Sequence, residues 1–284
     1  MNPIYATVAF GLAASLCWGS GDFSGGLASR RANPSSVVVS GYAVGFVLLV
    51  VLALIWREPL PGPADILWGG LAGIAGVLGL IAFYTALASG KMGIAAPVSA
   101  ALTATLPVLF SAITAGLPRP LQLIGFVLAL AAIWLISRPE RAGGSGSPTG
   151  IGLALLAGCG FGCFFILISR VGPASIFWPL ALARFTSVAL LLIIMRLRRQ
   201  RILPEVNKVP WLVVLAGTLD ALGNAFFVLA AHSGRLDVAA ILSSLYPAAT
   251  VLLAAIVLRE RVTRIQGTGI LLVLLAIPVI SAQI

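Results

Sequence analysis

The sequence predicts an all-α polytopic membrane protein, with ten transmembrane helices in two inverted five-helix repeats. Three observations predict it. Hydrophobic residues make up 60% of the 284-residue chain and charged residues only 9%, against roughly a quarter charged in a soluble domain. The apolar residues fall in runs of about twenty, long enough as helices to cross a hydrocarbon core of roughly 30 Å. The second half of the chain also repeats the first. A transmembrane β-barrel would instead show short alternating segments.

The elements follow from runs and breaks. The first span covers 4–28. Nothing basic precedes Ile4 and the run passes twenty residues, so it reads as a span rather than a cleavable leader. It stops at R-R-A-N-P, and the second span, 35–56, stops at R-E-P-L-P-G-P. The third and fourth, 66–88 and 93–115, are divided by Ser89-Gly90-Lys91, and L-P-R-P closes the fourth. The fifth is 120–137. The tract R-A-G-G-S-G-S-P-T-G (141–150) is the most linker-like piece of the chain and separates a unit 1–140 from a unit 151–284. The remaining spans are 149–169, 175–195, 209–232, 237–258 and 265–282. Pro97, Pro107, Pro179, Pro247 and Pro278 lie within or near span starts, where they kink a helix or mark an irregular turn.

Residues 66–137 laid on 210–281, an offset of 144 without a gap, give 22 identities in 72 positions. Ser89-Gly90-Lys91 aligns with Ser233-Gly234-Arg235, Gln122 and Gly125 with Gln266 and Gly269, and Ile136-Ser137 with Ile280-Ser281. Trp18-Gly19 lies over Phe161-Gly162 at an offset of 143. Such a period marks an internal repeat. Five spans per half is odd, so the second half enters the bilayer in the opposite sense. Inverted repeats typify secondary transporters, whose site lies near the midplane between halves.

Charge sets the expected orientation. Loops after odd-numbered spans carry thirteen Lys or Arg residues, among them Arg30, Arg31, Lys91, Arg138, Arg141 and the cluster Arg196 to Lys208; loops after even-numbered spans carry four, Arg57, Arg119, Arg170 and Arg235. The positive-inside rule makes the first set cytoplasmic and both termini extracytoplasmic, in the cell membrane. The net charge of +10 is thereby accounted for. No basic patch interleaved with aromatics suggests a nucleic-acid partner.

The run S-S-L-Y-P-A-A-T-V-L-L-A-A-I-V-L-R-E-R-V-T-R-I-Q-G-T-G-I-L-L (243–272), with its Pro, its Glu-Arg pair and its Gly opening the last span, resembles the end of an EamA domain. The segment F-Y-T-A-L-A-S-G-K-M-G-I-A-A-P (83–97) resembles the matching part of a first domain. That domain typifies the drug/metabolite transporter superfamily. The resemblance implies a ten-helix secondary transporter moving small metabolites or drug-like solutes by alternating access, many of them outward. One departure is that Gly116 and Leu117 stand where the second half has Glu260 and Arg261.

A charge at the centre of a span costs about 2.5–3.5 kcal/mol and faces the bundle interior. Asp22, Arg184 and Asp220 qualify. Arg184 lies twelve residues before Arg196, and Asp220 lies twelve after Lys208, which puts both about 18 Å from one basic belt. Tyr246 and Trp18 fall at nearly the same depth, and Asn224 and Ser243 lie one turn or less from this layer. The first-half equivalents of Arg184 and Asp220 are Gly41 and Gly76. Three roles compete for Asp220: a structural ion pair with Arg184, substrate binding, and proton exchange. Asp22 either joins the cavity or is neutralised by Arg30 or Arg31. His232 reads as interfacial and Glu260 as a loop-level pair.

The glycines read first as packing: Gly70, Gly73, Gly76 and Gly79 recur every three residues, and Gly69–Gly73 and Gly158–Gly162 are small-xxx-small pairs. G-S-G-D-F-S-G-G (19–26) lacks the spacing of a nucleotide loop. Cys17, Cys159 and Cys163 read as small packing residues, with no His, Asp or Glu nearby to complete a metal site. No cofactor is expected. The expected partners are a small-molecule substrate, the lipid bilayer and a proton as coupling ion; monomer and homodimer stay open. One His at a helix end argues against an enzyme. An uncoupled channel or facilitator and a non-transporting subunit are the alternatives.

Overall fold

The computed structural model describes residues 3–88, 92–137, 148–197 and 210–281. Lys91, Arg138, Arg141, most of the linker tract and the basic cluster beyond Leu197 lie outside these. The helices are α1 Pro3–Ser29, α2 Pro34–Ile55, α3 Pro63–Ala88, α4 Met92–Ala115, α5 Pro120–Ile136, α6 Pro148–Ile168, α7 Phe177–Leu197, α8 Pro210–Ser233, α9 Leu236–Ser243, α10 Tyr246–Val257 and α11 Arg264–Ser281. No strand occurs among the described residues. Among the described residues nine spans are long and apolar enough to cross a membrane, counting α9 and α10 as one; α5, at 17 residues, is a shorter apolar helix.

Proline opens α2, α3, α5, α6 and α8, where its missing N–H leaves no helical bond unmade. Asn33 caps α2 by accepting from Ser35 N at 3.0 Å. Because α6 begins at Pro148, the last three residues of the linker-like tract are helical.

The expected ninth span is not one helix. It breaks at Ser244-Leu245, just before Pro247. Proline has no N–H and its ring crowds the carbonyl four residues back. Pro97 and Pro107 sit inside α4, which runs on unbroken.

The principal helix pairings cross between the halves: α1 with α8, α3 with α6, α2 with α7, α5 with α11, and α1 with α9 and α10. They come as images of one another. A Cβ on Gly125 would lie 2.5 Å from Ile280 Cγ1, and one on Gly269 would lie 2.6 Å from Ile136 Cγ1; both pairs are related by the 144-residue offset. Likewise Gly79 meets Phe161 and Gly223 meets Trp18, and Gly162 meets Leu106 as Gly19 meets Thr250. The matched glutamines do the same work in each half: Gln122 Oε1 accepts from Arg119 N at 3.2 Å and Gln266 Oε1 from Thr263 N at 3.0 Å, each closing the first turn of its helix. These reciprocal contacts are those of two inverted repeats.

Small-residue packing holds at Gly69, Gly73, Gly158 and Gly162, each pressed against a neighbouring helix. Gly70 is different: its nearest neighbour to a Cβ is 4.0 Å away. The cysteines also depart from expectation. Cys159 and Cys163 are exposed on the outer face of α6, and Cys17 is only partly buried, so the first two do not serve core packing.

Candidate functional site

Arg184 is placed by the seating of α7. Glu58, in the loop after α2, accepts from the backbone N–H groups of Ile176, Phe177 and Trp178 at 3.0, 2.9 and 3.3 Å. A carboxylate at a helix N-terminus satisfies free donors and complements the helix dipole. Further along, the Gly69 Cα lets the Pro179 carbonyl approach α3, and Ser187 Oγ donates to Gly73 O at 2.9 Å. Between these contacts Arg184 turns into the bundle and is buried.

Its guanidinium carbon lies 4.3 Å from the centroid of the Tyr42 ring on α2. Arg184 Nη2 pairs directly with Asp220 Oδ2, the two side chains being 9% and 32% exposed. Oδ2 itself is buried, so the accessible part of Asp220 is the remainder of its side chain. Asp220 is held there by close helix crossings, of which the one at Gly217 admits no side chain. Gly217 abuts the Gly41 backbone, and a Cβ on Gly21 would lie 3.4 Å from Ala216 O and 3.5 Å from Asp220 N.

Asp22 follows Gly21 on α1. It is near enough to Asp220, Tyr42 and Tyr246 to interact electrostatically with all three. It is nevertheless exposed. Among the described residues it has no ion-pair partner. Arg30, one of its two expected neutralisers, pairs instead with Glu260 at 3.4 Å. Glu260 therefore bridges the halves rather than pairing with its own neighbours.

The aromatic wall comes from both halves. Trp18 stacks on Phe165 at 5.4 Å, Phe165 stacks on Phe227 at 4.4 Å, and Tyr246 meets Trp18 edge-on at 6.4 Å. A Cβ on Gly223 would lie 2.6 Å from the Trp18 ring, so a glycine is what admits the indole. Asn224 is buried and donates from Nδ2 to the Asp220 carbonyl at 2.6 Å. Ser243 is fully buried at the end of α9. His232 donates from Nε2 to Val171 O at 2.7 Å, joining α8 to the loop before α7.

The layer inferred from spacing is thus assembled: Asp22, Trp18, Arg184, Asp220 and Tyr246 converge, with Asn224 on the same face. Ser243 lies at the helix break, just before Tyr246. Sequence reasoning missed Tyr42 and Glu58. Tyr42 was findable, because it adjoins Gly41, the repeat equivalent of Arg184, and equivalent positions of α2 and α7 face each other across the pseudo-two-fold. Glu58 had no signal beyond being an acid in a proline-rich loop. Among the described residues no group of three or more His, Cys, Asp or Glu is arranged to hold a metal.

The arrangement brings together two carboxylates, one guanidinium and two phenols. A family model described as the EamA-like transporter family matches residues 6–138 and again 148–282. A solved structure titled "Crystal structure of protein" is similar in fold, with a TM-score of 0.74 at 21% identity, over 97% of this chain and 96% of that one. Comparison with curated proteins finds no match.

Proposed function

Since the chain belongs to the EamA-like transporter family, a family of membrane transporters, we propose that it is a secondary transporter of a small metabolite or drug-like solute, working by alternating access and exchanging protons at its acidic layer. The observation that carries this is a charge imbalance. Asp22 and Asp220 stand together against a single guanidinium, Arg184, in a layer built by helices of both halves. Arg184 answers Asp220. Asp22 is left without a counter-charge and accessible, so its carboxylate is free to take a proton or a cationic group.

Alternating access is supported by how the halves meet. Because the principal contacts are inter-repeat and near-symmetric, rocking one half on the other exchanges which end of the internal space is closed. Outward transport, with both termini extracytoplasmic, is the direction we propose from the family resemblance and the distribution of Lys and Arg.

The test begins with metabolite profiling of cells with and without the protein. Solutes whose levels change are then assayed for flux in proteoliposomes under an imposed pH gradient. Gradient-driven uptake that saturates, shows counterflow, and is lost in Asp22→Asn supports the reading. Saturable flux indifferent to the gradient in the wild type would remove the proton, and absence of counterflow would make it a channel.

A further inference from the structure

The broken ninth span carries a second feature that the solute site does not use. In the first half, α4 is continuous, and the Ser99 carbonyl receives the helical N–H of Thr103 together with its hydroxyl at 2.8 Å. The 144-residue offset puts Ser243 at the place of Ser99 and Pro247 at the place of Thr103. Proline supplies neither donor. Downstream, Ala248 N donates to Leu245 O at 3.0 Å, rather than to the Ser244 carbonyl that a continuous helix would engage.

The side chains add to this. Ser243 and Ser244 are 0% and 2% exposed, and neither hydroxyl oxygen has a hydrogen-bond partner. Elsewhere in the spans such hydroxyls fold back on the carbonyl four residues earlier, as Ser24, Thr105, Ser233 and Ser281 do. Buried polar atoms ordinarily find partners. Two hydroxyls and two carbonyls, the latter stripped of their helical donors, therefore collect at one buried break, at the negative end of the α9 dipole. Helix α1 crosses here: Gly11 packs on Leu242 and Gly19 on the Tyr246 carbonyl, with buried Ser15 between them at the level of the break.

We propose that the α9–α10 break binds one alkali-metal cation. Unwound backbone carbonyls and half-helix ends coordinate monovalent ions in broken transporter helices. The ligand set contains no carboxylate, because Asp237, the acid of α9, is engaged by Arg235 at 2.7 Å and by Val238 N at 2.8 Å. Neutral oxygens alone suit a monovalent ion, since protein sites for calcium and magnesium ordinarily include carboxylates to balance the double charge. The site adjoins the solute layer at Tyr246 but uses none of its charged side chains, and its test needs no transported solute.

The full-length protein is purified, and its unfolding midpoint is measured in lithium, sodium, potassium and choline chlorides at equal ionic strength. One alkali cation is expected to raise the midpoint over choline by roughly 3 °C at about ten times its Kd. Ser243→Ala with Ser244→Ala should abolish the rise. So should Pro247→Thr, which restores both donors of the first half and serves if the double variant does not fold. Equal midpoints in all four salts, or a rise that persists in the folded variants, would overturn the proposal; a bridging water would give the first of these.

Discussion

Arg184 pairs with Asp220 between α7 and α8, while Asp22, beside that pair, has no cation of its own among the described residues. One guanidinium stands beside two carboxylates and pairs with one of them, so the two acids are not equivalent. Asp220 is tied into packing and Asp22 is not. Each should respond differently to neutralisation.

Arg184→Met should destabilise strongly. It leaves Asp220 without its counter-charge and removes the cation seated on Tyr42; breaking a buried pair costs about 3–5 kcal/mol, and the partial exposure of Asp220 puts the expectation at or below the low end of that range. Arg184→Met combined with Asp220→Leu should recover most of the unfolding midpoint but no transport. A double variant that transports normally would show that the pair serves structure alone.

Asp22→Asn should leave the unfolding midpoint within a degree or two of wild type, because no ion pair is lost. Flux driven by a pH gradient should fall at least tenfold. Comparing midpoint and flux on the same preparation separates a working acid from a structural one.

Glu58→Gln should cost roughly 1–2 kcal/mol, since a neutral amide accepts the three α7 N–H bonds more weakly than a carboxylate. Hydrogen exchange at Ile176, Phe177 and Trp178 should accelerate ahead of the rest of α7. Uniform acceleration along the whole helix would count against a local cap.

Gly73→Ala should destabilise by about 1–3 kcal/mol through overpacking, because the new methyl meets Thr186 Oγ1 and the Ala183 carbonyl. Gly70→Ala, one turn away with 4.0 Å of clearance, should be near neutral. Thermal unfolding of the pair checks this directly.

Much of this was legible in the chain. The spans follow from apolar runs and the repeat from an ungapped offset, because both are one-dimensional patterns. That Arg184 and Asp220 lie level with each other was readable because rise per residue is fixed in a helix. The three-residue glycine period was misleading in part: helical spacing cannot say which glycine faces a neighbour, and Gly70 does not. The break in the ninth span was one of two outcomes its sequence left open, because a proline alone does not decide between a kink and an irregular turn; Pro107 is absorbed in α4 where Pro247 is not. The cysteines were misassigned because lipid accepts apolar residues on the outside of a span, so hydrophobicity along the chain does not report burial.

The pattern of inter-repeat contacts has a consequence for how the molecule comes to exist. Neither five-helix unit owns a core: α1 needs α8, α3 needs α6, and α5 needs α11. The two units that the sequence delimits are units of ancestry rather than of assembly. Either one made alone should be an orphan for the cell's quality control, whereas the two made together as separate chains, divided between α5 and α6, should find each other and complete the protein.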